Sequence, residues 1–211
     1  MIGLEVVYWV FIIFFGLIGA LRGWTKEIVA TAGLVLSLFA LDYFGPTILN
    51  VVGFVDPAGL QGEALDQMYR RQFWSLTGLH IFIAFWSYQG PTVGGRRGGS
   101  RSDNVQDKLL GWIIGSLNGY FIIGTIYSFL EFRIGPRPDG TGWDYFALPA
   151  GQSYPFSPAT IIRPGTSPLA GLNVEPLAIF EYLPLEFFTQ NQVLLPLMLV
   201  ALFLVILIVI I

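Results

Sequence analysis

The chain has no cysteine, a single histidine and few charges, and each shortage removes a class of function. Without cysteine there is no disulfide, no iron–sulfur cluster and no thiolate metal site. One histidine excludes any intrachain pair of imidazole ligands. Only 12% of the 211 residues are charged, about half the share carried by soluble domains. The net charge of −3 argues against a nucleic-acid partner held by phosphate neutralisation. No glycine-rich phosphate loop, metal-ligand spacing or nucleophile–base motif stands out, so no enzymatic activity is expected.

What the chain does have is apolar length. Hydrophobic residues make up 54% and aromatic ones 16%. About twenty apolar residues at 1.5 Å rise cross a hydrocarbon layer roughly 30 Å thick. Stretches of that kind fall at residues 2–21, 28–44, 73–88, 109–131 and 193–211. The expected fold is an all-α integral membrane protein with about five transmembrane helices. Residues 1–131 form a four-helix core, 132–192 a long irregular external segment, and 193–211 a C-terminal span. The N-terminus lacks a basic n-region and a small-residue cleavage site and carries Glu5, so it reads as a retained span rather than a signal peptide. The last span ends on Ile211 with no polar tail, a pattern that points to a natural chain extending further.

Small residues mark where helices meet. Gly111, Gly115 and Gly119 recur every four residues, and Asn118 and Thr125 fall on the same arc. Gly16, Gly19 and Gly23 form a second strip on the first helix. Lipid supplies little hydrophobic drive for helix pairing, so close backbone approach and interhelical hydrogen bonds must hold the bundle. A glycine ladder can also line a solute path, but packing is its commoner use. In contrast, 193–211 is nearly all Leu, Ile and Val, offers no small-residue face and is expected to meet lipid or a loosely matched partner.

Punctuation between spans is equally informative. Gly45-Pro46 is expected to stop or kink the second helix, because proline lacks the donor and clashes with the preceding turn. The run GEALDQMYRRQ (62–72) reads as a short amphipathic helix at the interface. Nine of the thirteen prolines lie in 132–192 with many aromatic residues. That density argues against long helices and central strands and points to a segment laid on the membrane surface or on neighbouring subunits. Near its end, EPLAIFEYLPLEFF (175–188) reads as an interfacial helix.

Charges and the lone histidine complete the picture. Arg22, Lys26, Glu27, Asp107 and Lys108 lie at one boundary and read as a structural cluster tying spans together, with a proton relay as the sharper alternative. With the basic GGRRGGSR loop (94–101) on the same side, the bias of Lys and Arg places the N-terminus outside and the C-terminus in the cytoplasm. Anionic lipid, rather than RNA, is the expected contact of that loop. His80 falls mid-span, where an ionisable group is a functional candidate by default. It is a candidate axial ligand for a pigment or a contact for a lipid. The plainer reading is a neutral imidazole bonded to a hydroxyl or carbonyl of the next helix.

The stretch GLIGALRGWTKEIVATAGLVLSLFA and the Asp107-Lys108-x-x-Gly111-x-x-x-Gly115-x-x-x-Gly119 helix resemble the colicin V production protein (CvpA) family of bacterial inner-membrane proteins. The matching positions are Gly19, Arg22, Gly23, Lys26, Glu27, Asp107, Lys108, Gly111, Gly115 and Gly119. The likeness covers residues 1–130. It implies a four-helix inner-membrane core linked to colicin export or envelope homeostasis, without enzymatic activity. The segment 132–192 and the fifth span depart from that pattern and suggest a specialised member. The expected role is an accessory subunit of a larger membrane complex, bioenergetic ones included, with other membrane subunits contacted through 132–192. A pigment- or cofactor-binding subunit using His80 and a small channel or export component are the competing expectations.

Overall fold

The structure, a computed structural model, describes residues 4–53, 59–89, 105–137, 139–140, 143–147, 183–190 and 193–210. In chain order these form α1 (Leu4–Arg22), α2 (Trp24–Val51), α3 (Glu63–Gln89), α4 (Val105–Glu131), β1 (Phe132–Pro136), β2 (Trp143–Ala147), α5 (Pro184–Gln190) and α6 (Leu194–Ile210). Two of the helices, α2 and α4, are long and apolar enough to cross a membrane, and shorter apolar helices lie within α1 and α6. The loop at 94–101 and residues 148–182, where lipid and partner contacts are expected, lie outside the described residues.

Glycine sets the closest approach in the bundle. The extensive contact between α1 and α4 is backbone on backbone. A Cβ on Gly115 would sit 2.6 Å from the Phe15 carbonyl oxygen and 2.8 Å from Gly19 Cα. One on Gly119 would sit 2.8 Å from Phe15 Cβ, and Gly111 and Gly19 face each other across the same seam. Gly16 continues it against Trp112 and Ser116. The next junction is a single residue: Gly23, at φ +87°, turns the corner between α1 and α2. An L side chain there would be strained, which is why a glycine can join two helices without a loop.

The hub of the bundle is α2, which touches every other helix as well as β2. Leu34, Val35, Leu38, Leu41 and Leu49 are all but sealed from outside. The expected stop at Gly45-Pro46 is absent, and α2 runs on to Val51 with Pro46 inside it. A proline deletes one helical bond, here the donor to the Asp42 carbonyl. Beside it, the Tyr145 hydroxyl donates to the Leu41 carbonyl at 2.8 Å and lies next to Gly45, which anchors this part of α2 to β2. Burial, reinforced by the Asp42 and Asp144 carboxylates, raises the Tyr145 phenol above its ordinary pKa, so it remains a donor.

Three further expectations are corrected. The amphipathic run 62–72 is not a separate surface helix but the first turns of α3, since nothing between Gln72 and Phe73 breaks the helix. Part of the segment expected to be irregular forms an antiparallel hairpin pairing Phe132 with Ala147 and Pro136 with Trp143. Its single described proline, Pro136, sits at the end of a strand, where a missing donor is tolerated. The side chain of buried Gln72 extends this hairpin onto α3: its Nε2 donates to the Ile134 carbonyl at 2.9 Å, and its Oε1 accepts from the Ile134 amide at 3.0 Å. Finally, the described part of the 175–188 run, 183–188, packs into the bundle instead of lying on its surface. Leu183, Leu185 and Phe188 are buried, Pro184 fills the space over Gly124, and the Leu185 amide donates to Ser128 Oγ at 3.3 Å. The last helix also has a protein partner, since α6 packs on α2 with Leu195 buried.

Polarity in this bundle is turned inward. Glu27, Ser37, His80, Asn118, Thr125 and Ser128 are fully buried. Outside, Val10 and Leu17 on α1, Trp74, Phe82 and Trp86 on α3 and Phe203 on α6 are 55% to 70% exposed.

Candidate functional site

The densest polar constellation is built on Glu27, in the first turn of α2. The Gly23 corner brings Arg22, the last residue of α1, back over that turn. Arg22 Nη1 donates to Glu27 Oε1 at 2.8 Å. From α4, Asn118 Nδ2 donates to Glu27 Oε2 at 2.8 Å and reaches the Glu27 carbonyl at 3.1 Å. From the end of α3, the Tyr88 hydroxyl donates to Oε2 at 3.2 Å. The Thr31 hydroxyl lies 2.8 Å from the Glu27 carbonyl and 2.7 Å from Asn118 Oδ1. A carboxylate only accepts, so it fixes the Asn118 amide with its nitrogen toward Glu27 and its oxygen toward Thr31.

Arg22 is held twice more. Its Nη2 donates to the Tyr88 carbonyl at 3.2 Å, and its Cζ lies 4.3 Å from the centre of the Tyr88 ring. Cation–π contact and hydrogen bond together tie the ends of α1 and α3 to the head of α2. Burying a carboxylate costs several kcal/mol unless the charge is paired and its lone pairs are filled. Here a cation and two neutral donors meet both oxygens. Four helices thus close on one charge.

The five residues expected to cluster divide in the structure. Arg22 and Glu27 pair directly, and Glu27 is fully buried. Asp107 leans over the Gly23 corner, where a Cβ would lie 3.4 Å from Asp107 Oδ2. Lys26 and Lys108 are exposed. Asn118, read from sequence as a packing residue, is a principal hydrogen-bond donor to Glu27. Tyr88 and Thr31 were missed. Thr31 carried a signal, lying one helical turn beyond Glu27, whereas Tyr88 carried none.

His80 occupies a second buried site between α3 and α2. Its Nδ1 and the Ser37 hydroxyl share a hydrogen bond at 2.8 Å. Among the described residues its Nε2 and the hydroxyl of Thr77 one turn earlier complete no hydrogen bond, although the ring also meets the backbone of Phe121 and Ile122 on α4. Ala84 continues the face, and Ser87 fills the space above Gly33 while donating to the Ile83 carbonyl at 2.7 Å. Among the described residues no group of three or more His, Asp or Glu side chains is placed to hold a metal ion.

No family model matches the chain, and neither does any curated protein or solved structure.

Proposed function

We propose that this chain is a non-enzymatic, multi-pass protein of the bacterial inner membrane that works by association, as a CvpA-like accessory subunit of a larger membrane complex. One observation carries the reading: the bundle is apolar outside and polar inside, with its buried polar groups largely committed to other helices. In water such a surface would associate, whereas in lipid it is solvated and the inward bonds hold the fold. Five spans follow from the apolar runs of the sequence, and an external N-terminus and a cytoplasmic C-terminus from the Lys and Arg bias. They put the Glu27 network at the cytoplasmic boundary and the hairpin outside.

Gentle purification followed by mass spectrometry of the co-purifying chains tests the subunit role. Stoichiometric partners are the expected result, and a stable lone monomer overturns it. A reporter inserted in 94–101 is expected to read cytoplasmic.

A cofactor-binding reading has one observation behind it, the Nε2 of His80, which completes no hydrogen bond among the described residues. Against it, the imidazole is enclosed, whereas a macrocycle needs an open face beside its axial ligand. Visible absorbance lost in His80→Leu would favour that reading over the first, and a colourless protein removes it.

A further inference from the structure

At the end of the bundle where α3 begins and α4 gives way to β1, the hairpin bounds an open cavity of about 170 Å³. Its walls are Tyr69, Arg133, Ile134, Gly135, Pro136 and Phe146. A water takes roughly 30 Å³ of liquid, so the space admits a group several waters in size. The Arg133 guanidinium donates to the Tyr69 hydroxyl at 3.1 Å and lies 5.4 Å from the centre of that ring. Among the described residues no carboxylate pairs with Arg133, whereas Arg137, four residues on, is held by Asp144 at 3.2 Å.

A guanidinium offers five N–H donors in a planar fork suited to phosphate. Tyr69 accepts one of them and keeps its own proton to give. The result is two adjacent donors, one charged, at the mouth of a cavity whose other walls are aromatic, proline and aliphatic. We propose that this cavity binds the phosphate group of an anionic phospholipid. Arg133 takes the phosphate oxygens, Tyr69 donates a further bond, and Pro136 and Phe146 lie against the glycerol and the first acyl carbons. A lipid rather than free phosphate is the occupant because the cation sits among apolar walls, and its partner Tyr69 lies five residues before exposed Trp74, an interfacial residue type, on α3.

The inference rests on the membrane reading, and the two fail differently. A chain that stays soluble and monodisperse without detergent defeats the membrane reading. A flat lipid titration of a detergent-requiring chain defeats only the site. The experiment is thermal unfolding of the full chain in mild detergent, titrated with short-chain phosphatidylglycerol, with a diacylglycerol of the same chains, and with inorganic phosphate. Phosphatidylglycerol is expected to raise Tm saturably while the other two do not. Arg133→Gln is expected to need about tenfold more lipid, the loss of a charge-assisted hydrogen bond, and Arg137→Gln to titrate like the parent.

An equal rise with diacylglycerol overturns the proposal, as does an equal rise with phosphate, which would mark a free-anion site. So does a titration unchanged by Arg133→Gln. If that variant does not fold, Arg133→Lys and Tyr69→Phe decide: weakened binding in either supports the site, and parental binding in both overturns it.

Discussion

Glu27 shows how a single side chain can set the register of a bundle. Its two oxygens and its carbonyl receive groups from α1, α2, α3 and α4, so sliding any of these helices would strand a buried donor or acceptor. The charge is tolerable only while its cation is present. Arg22→Leu is therefore expected to lower stability by about 3–5 kcal/mol, the cost of leaving a buried charge alone. Adding Glu27→Gln to that variant should recover much of the loss, because a neutral amide no longer needs the guanidinium. Denaturant unfolding in detergent of the two single variants and the double one measures the coupling. Additive losses would show that the two side chains act independently. Sequence could place Glu27 in a charged turn beside Arg22, but not inside the protein. Its burial depends on Tyr88 and Asn118, 61 and 91 residues away.

At the scale of elements, local spacing and long-range contact divide the work. The four-residue step puts Gly111, Gly115 and Gly119 on one face of α4, and this much is legible in the chain. That α1 is what fills the face is a fact of three dimensions. Gly115→Ala is expected to cost about 1–3 kcal/mol, since its methyl would meet the Phe15 backbone and not a flexible side chain. Gly78 on α3 has nothing within 4 Å of an added Cβ, and Gly78→Ala should be neutral or stabilise by up to about 1 kcal/mol. Thermal unfolding of both variants decides, and equal effects would remove the packing argument. Proline and hairpin signals were misleading for a common reason. Pro46 reads as a stop or a kink, and that α2 runs through it shows only with its surroundings, among them Tyr145, 104 residues from the Leu41 carbonyl it binds. A two-stranded ribbon in a proline-dense segment is invisible until Gln72 is seen to hold its edge.

For the whole molecule, the inversion of polarity makes the surrounding medium part of the fold. Phe82 is 61% exposed in the apolar part of α3, two residues beyond His80. Phe82→Lys places a charge where lipid is proposed, at about 3 kcal/mol on translocon-insertion scales, so the amount recovered in the membrane fraction should fall several-fold. Phe82→Leu should not change it. Equal recovery of the two variants would mean that this face does not meet lipid. Composition announced an apolar protein, but which apolar residues turn outward depends on the buried pairs that pull their neighbours in.

The bond between Gln72 and Ile134 has a directional outcome. With both main-chain groups of Ile134 taken by a helix, the outer flank of β1 is shut to further strands. A chain adding to this ribbon would have to lie along Trp143–Ala147, so that growth of the sheet is one-sided from the start.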